Sequence, residues 1–283
     1  MTSSRETTPG RSLATYFALT FILAWALWLL AAGLTGTALP MGLRGLSFLP
    51  GTFAPAIVAL WMTSRSEGRA GLDALLRQLF VWDVNARWYV FAVGYMAAVK
   101  LAAAVAHRAI PGTWPSFGEA PVYLLLAAVL FSTPVQAGEE IGWRGYALPR
   151  MSARLGLRRA SVLLGAIWAV WHLPLFFIPA TTTTGQSFEV YFVSVTALSV
   201  AMAWLHAHTK GSLLLVMIMH AAVNNTKDIV PSAVTAGTGM LAGASLVAWL
   251  TAALLWAGAA YFLVRMPRLE PAPLDPVGAQ AKV

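Results

Sequence analysis

The feature that most constrains this chain is the recurrence of apolar runs long enough to cross a lipid bilayer. A helical crossing needs about 20 predominantly apolar residues. Its backbone groups are then bonded within the segment, because hydrocarbon offers them no other partner. Such runs occur about eight times, at 13–33, 46–63, 88–106, 121–140, 160–178, 188–206, 212–226 and 241–264. The expected fold class is therefore all-α, a polytopic membrane protein of about eight transmembrane helices. The first run is longer and less interrupted than the apolar stretch of about 7 to 15 residues in a cleaved leader, so it reads as an uncleaved anchor.

Charge supports this frame. Only 11% of residues are charged and 58% are hydrophobic, where soluble domains carry about 25% charged residues. The formal net charge of +8 would raise nucleic-acid binding in a soluble protein, but here the basic residues sit mostly between apolar runs and set topology instead. With the N-terminus inside, the cytoplasmic set is Arg5, Arg11, Arg65, Arg69, Arg77, Arg87, Arg144, Arg150, Arg154, Arg158, Arg159, Lys210, Arg265, Arg268 and Lys282, or 15 of 19 Lys and Arg. Arg44, Arg108 and Lys227 fall outside, and Lys100 lies within the third run. Both termini are thus expected in the cytoplasm. The absence of cysteine excludes disulfides, thiolate metal sites and a cysteine nucleophile.

The organisation that follows is a cytoplasmic tail at 1–12, a transmembrane helical domain at 13–266 and a Pro-rich disordered tail at 267–283, with no internal repeat and no soluble domain. Between the first spans, 71–81 carries Leu72, Leu75, Leu76, Leu79 and Phe80 at helical spacing. That stripe suits a helix lying in the membrane interface or a linker helix packed on its neighbours. The stretch 149–159 holds Arg150, Arg154, Arg158 and Arg159, a retention signal or a seat for anionic lipid.

Ionisable groups inside spans are costly, so they mark candidate functional residues. Away from span ends these are Lys100, Glu139, Glu140, His172 and His220, with Arg144 and Asn224 close by. Glu140 and Arg144 stand i, i+4 on one helix face, whereas Glu139 is rotated by about 100°. Arg144 can then keep Glu140 ionised while Glu139 faces a cavity as base or ligand. An ion-pair cluster at a helix end would look the same. Trp168 precedes His172 by one turn, and His220 precedes Asn224 by one turn; polar contacts between helices would also account for either pair.

One carboxylate and two imidazoles on three spans match a catalytic zinc site, with Glu139, His172 and His220 as ligands and a fourth position open to water. They equally match a metal-free site in which Glu139 is the general base for a water. Depth tests both. His220 lies ten residues beyond Lys210 and His172 thirteen beyond Arg159, roughly 15 to 20 Å of helix. Glu139 read as a helix-end residue sits nearer the cytoplasmic edge. A tilt, a bend at Pro134 or continuation of the helix past Arg144 would bring the three level, around one cavity expected to open toward the cytoplasm.

At these residues the chain resembles a known family. Glu139-Glu140-x-x-x-Arg144, Trp168-x-x-x-His172 and His220-x-x-x-Asn224, in this order, are similar to the three motifs of the CAAX-protease and bacteriocin-processing (CPBP, or Abi) family, which includes the Ras-converting type of CAAX prenyl endopeptidase. The resemblance covers about 121–230. It implies an intramembrane endopeptidase in which Glu139 and His172 activate water and His220 with Asn224 complete the site, Asn224 stabilising the oxyanion. Glu140 and Arg144 would orient the first motif. It also implies a divalent metal, zinc, by the family's classification and a membrane-anchored or membrane-embedded peptide substrate. The multi-pass pattern with its Ala- and Arg-rich composition makes a bacterial inner membrane the expected address. Trp168 stands where the family usually has Phe, with its expected effect confined to the shape of the pocket.

Other protease classes lack their residues here. There is no His-Glu-x-x-His and no Gly-x-Gly-Asp, and no histidine follows Gly243-Ala244-Ser245. A transporter would show matching interrupted helices in both halves, whereas the polar residues concentrate in one half. A catalytically idle scaffold or a bacteriocin-immunity protein remains as the alternative, since an intact site does not establish turnover.

Overall fold

The computed structural model describes residues 9–35, 45–178, 181, 183, 186–232 and 245–267, and they form helices with no strand among them. The long helices are α1 (Pro9–Thr35), α2 (Ala54–Arg77), α3 (Ala86–Ala109), α4 (Val122–Ser132), α5 (Leu148–Trp171), α6 (Phe188–His208), α7 (Leu213–Thr226) and α8 (Leu246–Arg265). Five helical runs among the described residues are long and apolar enough to cross a membrane: Leu13–Leu34, Ala86–Ala109, Val122–Trp171, Phe188–His208 and Leu246–Arg265. The all-α membrane architecture is therefore as the apolar runs require. Most of the tails, Arg44 and the Gly243-Ala244 pair lie outside the described residues.

Several boundaries differ from the hydropathy reading, and local chemistry explains each. The expected run 46–63 is divided at Phe53 between a short turn, Leu49–Thr52, and α2. Pro50 and Pro55 each occupy a first-turn position, where a missing N–H costs nothing. Gly68 (φ +62°) and Gly156 (φ +72°) interrupt α2 and α5 in conformations that a side chain disfavours. After the first break, the stripe of 71–81 turns onto the protein, with Leu75 buried and its methyl lying where a Cβ on Gly145 would clash. Of the two readings of 71–81, packing on neighbouring helices describes Leu75, although Phe80 stays exposed.

The fourth and fifth expected runs belong to one path. From Ser132 the chain passes through a 3-10 turn (Thr133–Gln136), a helical turn (Ala137–Glu140) and a π-helical segment (Ile141–Ala147) before α5 begins. Arg144 is thus completely buried in mid-path. It cannot serve as one of the cytoplasmic loop arginines, which corrects that part of the charge reading. Among the described residues, several of the other basic side chains meet at one end of the bundle. Arg158 donates to the Val264 carbonyl (3.1 Å), Lys210 to the Asp83 carbonyl (3.2 Å), and Arg150 pairs with Glu67. These ties gather the basic segments at one end.

Serine caps start three of the helices. Ser187, Ser212 and Ser245 accept from the N–H groups of Val190, Leu215 and Ala248, satisfying donors that a membrane helix would otherwise leave bare. Close approach of helices depends on small residues. A Cβ on Gly165 would lie 2.8 Å from the Thr196 Cα, and one on Gly142 would lie 2.5 Å from Pro55 Cβ and from the Tyr16 hydroxyl. The second contact presses the π-helical segment against α1 and α2, which holds the glutamates at a set height.

Candidate active site

The adjacent glutamates have entirely different surroundings. Glu140 is fully buried, and both of its oxygens accept from Arg144 Nη1 at 3.0 Å. Its Oε1 also accepts from His220 Nδ1 at 2.7 Å, across 80 residues of sequence. Arg144 in turn donates to the Met202 sulfur at 3.3 Å and lies 4.4 Å over the Trp168 ring. A charge placed at this depth is tolerable only when paired and hydrogen-bonded. Glu140 and Arg144 meet that condition together, so the π-helical segment, α6 and α7 are joined through one buried network.

Glu139 looks the other way. Its Oε2 accepts from the Trp168 indole N–H at 2.6 Å, and its carboxylate lines a cavity of about 440 Å³ together with His172, His220 and Asn224. His172 Nδ1 contacts the Trp168 backbone carbonyl at 2.9 Å. A carbonyl only accepts, so Nδ1 carries the proton and Nε2 keeps its lone pair. Trp28, Trp171 and Tyr191 bracket that ring, with centroids at 6.4, 4.7 and 5.5 Å. The Trp168 ring also meets His220 edge to face at 5.2 Å.

These contacts sort the sequence candidates. Glu139, His172, His220 and Asn224 converge on one cavity, although Glu139 and Asn224 are 85 residues apart. Glu140 and Arg144 stand behind it and hold His220. The depth mismatch disappears because the helix continues past Arg144, one of the three resolutions foreseen. Glu139 lies seventeen residues before the Gly156 break and His172 sixteen after it, so both sit roughly 25 Å from that turn. Contacts between helices are made by Asn225, which donates to Ser132 Oγ at 2.8 Å, and Asn224 is left for the cavity.

Two expectations are corrected. Trp168 does more than reshape the pocket, because its N–H holds Glu139 and a Phe at this position has no such donor. The cavity lining also continues to Thr183, Ser187, Lys227 and Ser232, in loops at the end of the bundle opposite the arginine-rich turn. The cavity thus reaches the loop end of the bundle, which is the end away from the cytoplasm if both termini are cytoplasmic. What sequence reasoning missed is the placement of Lys100, which enters this same cavity from α3; its position inside an apolar run was the only signal.

For the expected zinc, the fit is incomplete. Both Nδ1 atoms are anchored as in metal-binding histidines, leaving Nε2 free. Yet among the described residues no three His, Asp or Glu side chains are gathered closely enough to hold a metal ion. Glu139, His172 and His220 as placed do not form a three-ligand zinc site.

Comparison with known proteins agrees with the motifs. The model of the type II CAAX prenyl endopeptidase Rce1-like family matches residues 118–226, which contain every residue of the three motifs. A relative from Methanococcus maripaludis, CAAX prenyl protease 2, is 26% identical over 236 residues, covering 76% of this chain and 83% of its own length. With the motif residues gathered around one cavity and the match spanning all three motifs, the chain is similar to the Rce1-like CAAX prenyl endopeptidases over this segment, and its apolar helices make it an integral membrane protein.

Proposed function

We propose that the protein is an intramembrane endopeptidase of the glutamate type, hydrolysing a peptide bond in a membrane-associated substrate. The observation that carries this reading is the convergence of Glu139, His172, His220 and Asn224, from three parts of the chain, on one cavity inside an apolar bundle. The names of its relatives point to the same activity.

In this mechanism the Glu139 oxygen not held by Trp168 takes a proton from a water whose other hydrogen is held by His172 Nε2. The water oxygen bonds to the scissile carbonyl carbon, and the carbonyl π electrons move to oxygen. The Asn224 amide donates to that oxyanion. Glu139 then delivers its proton to the amide nitrogen as the C–N bond breaks, releasing an amine and a carboxylic acid. His220, fixed by Glu140, presents Nε2 on the other side of the substrate and limits the poses in which the carbonyl can approach.

The test is a peptidase assay of purified protein on a library of lipid-anchored, internally quenched peptides. Wild type turns over at least one of them, and Glu139→Gln loses about 10²- to 10⁴-fold. A wild type as silent as Glu139→Gln would favour the idle scaffold or immunity role. The address we propose is a bacterial inner membrane, with the arginine-rich end in the cytoplasm and the cavity mouth facing outward. Reporter fusions at Arg154 read cytoplasmic and those at Thr183 external; the reverse pattern would turn the mouth inward.

A further inference from the structure

Hydrolysis would leave a negative oxygen inside an apolar bundle, and most of the donors around Glu139 are already engaged. His172 and His220 each carry the ring proton on Nδ1, against the Trp168 carbonyl (2.9 Å) and Glu140 (2.7 Å), so their Nε2 atoms only accept. The Trp168 N–H is held by Glu139 at 2.6 Å. Lys100 is tied at 2.7 Å to Ser232, in the chain past the end of α7. Beside Asn224, α6 offers two more hydroxyls to the wall, those of Tyr191 and Ser194.

The packing of α5 on α6 selects Tyr191. The two helices run antiparallel, with Ser199 donating to the Ser161 carbonyl at 3.0 Å and the Thr196 backbone closing on Gly165. Continued along both helices, that register brings Tyr191 level with His172. Their rings meet edge to face at 5.5 Å, and Phe176 packs against the tyrosine at 5.1 Å. The ring is thus fixed by two neighbours, while its hydroxyl has no hydrogen-bond partner among the described residues. A sheltered polar group left unpaired is costly and calls for an explanation. Ser194 lies one turn nearer the arginine-rich end, and its hydroxyl stays within one bond of Cβ, whereas the phenol extends from a ring seated on His172. A phenol, with pKa about 10, is also the more acidic donor, which suits an oxygen that gains charge.

Resting on the endopeptidase reading, we infer that Tyr191 is a further catalytic residue, whose hydroxyl donates to the oxyanion beside the Asn224 amide. As the water oxygen bonds to the carbonyl carbon and the π electrons move to oxygen, that oxygen accepts from both groups. Tyr191 keeps its proton throughout. When the C–N bond breaks, the carbonyl re-forms and the hydrogen bond weakens. Stabilisation is thereby greatest in the charged state, which is where a fixed donor accelerates the reaction.

The test uses the full chain in nanodiscs of phosphatidylcholine and one lipid-anchored, quenched peptide that the wild type cleaves. Tyr191→Phe keeps the ring and loses the donor. Its kcat falls about 10²- to 10³-fold, as for an oxyanion donor, with KM and melting temperature unchanged. Ser194→Ala keeps the wild-type kcat. A second readout is inhibition by the matching peptidyl difluoroketone, whose hydrate places a tetrahedral carbon and its oxygens in the site. Tyr191→Phe weakens this inhibitor in the same proportion as it lowers kcat. A Tyr191→Phe protein with wild-type kcat would overturn the inference. So would a kcat loss with unchanged inhibition, which would make Tyr191 a support for the His172 ring, or a lowered melting temperature, which would give the hydroxyl a structural partner. A loss at Ser194→Ala beside a silent Tyr191→Phe would move the donor to Ser194. Each of these leaves the endopeptidase reading standing, because the wild type turns over. A wild type that cleaves no peptide, and binds the difluoroketone no tighter than the amide, sinks that reading and the role of Tyr191 with it.

Discussion

Glu139 and Glu140 are neighbours in sequence, yet one faces a closed region and the other an open one. Around Glu140 every contact is internal: both oxygens engage Arg144, one also engages His220, and neither side chain of the ion pair has any exposure. Around Glu139 a single indole N–H is satisfied, and the remaining lone pairs look into the cavity beside His172 and Asn224. The closed region resists change because removing any member strands a buried charge. The open region can do chemistry because its unsatisfied atoms await a substrate and a water. The π-helical segment that follows Glu140 lies beside both, a placement often seen at functional sites.

The sharpest way to test this contrast is to neutralise each glutamate in turn. Glu139→Gln loses about 10²- to 10⁴-fold in kcat with an unchanged melting temperature. Glu140→Gln leaves Arg144 buried without its counter-charge, and the penalty for breaking such a pair is about 3 to 5 kcal/mol. Thermal unfolding in detergent then shows a clear drop, and the activity loss accompanies it through His220. A silent Glu139→Gln beside a stable, inactive Glu140→Gln would reverse the two roles.

Trp168→Phe probes the seam between the regions, since the ring touches Arg144 and His220 while its N–H holds Glu139. The ring's packing survives and the donor is lost. Turnover should fall about tenfold, the low end for a hydrogen bond to a charged group, with little change in melting. A loss as large as that of Glu139→Gln would mean that the ring's volume matters more than its donor. The smallest expected effect is that of chelation. Dialysis against a strong zinc chelator should leave turnover unchanged, because no three ligands are gathered among the described residues. Activity lost on chelation and restored by zinc would return Glu139, His172 and His220 to the role of ligands.

Much of this was legible in the sequence because it depends on local pattern. Apolar runs of bilayer length require helices whatever their neighbours. The i, i+4 spacing of Glu140 with Arg144 brings those two together on any helix. The scarcity of ionisable residues in spans drew attention to Glu139, His172, His220 and Lys100 before any contact was known. The helix breaks were less visible, because a glycine inside an apolar or basic stretch has the same appearance whether it bends the chain or not. Gly156 turns it, with φ +72°, and Gly165 only admits a neighbouring helix.

By itself the sequence determined the fold class, the set of polar residues that must be sheltered and the nonequivalence of the adjacent glutamates. Each follows from backbone hydrogen bonding, the cost of charge in hydrocarbon and the 3.6-residue period. Tertiary structure alone decided that His220 answers to Glu140 instead of Glu139, that the Trp168 indole holds the cavity-facing carboxylate, and that Lys100 shares that cavity. These are contacts between residues 29 to 132 positions apart in sequence. Their partners are selected by how helices pack and at what height they cross, which no local periodicity encodes.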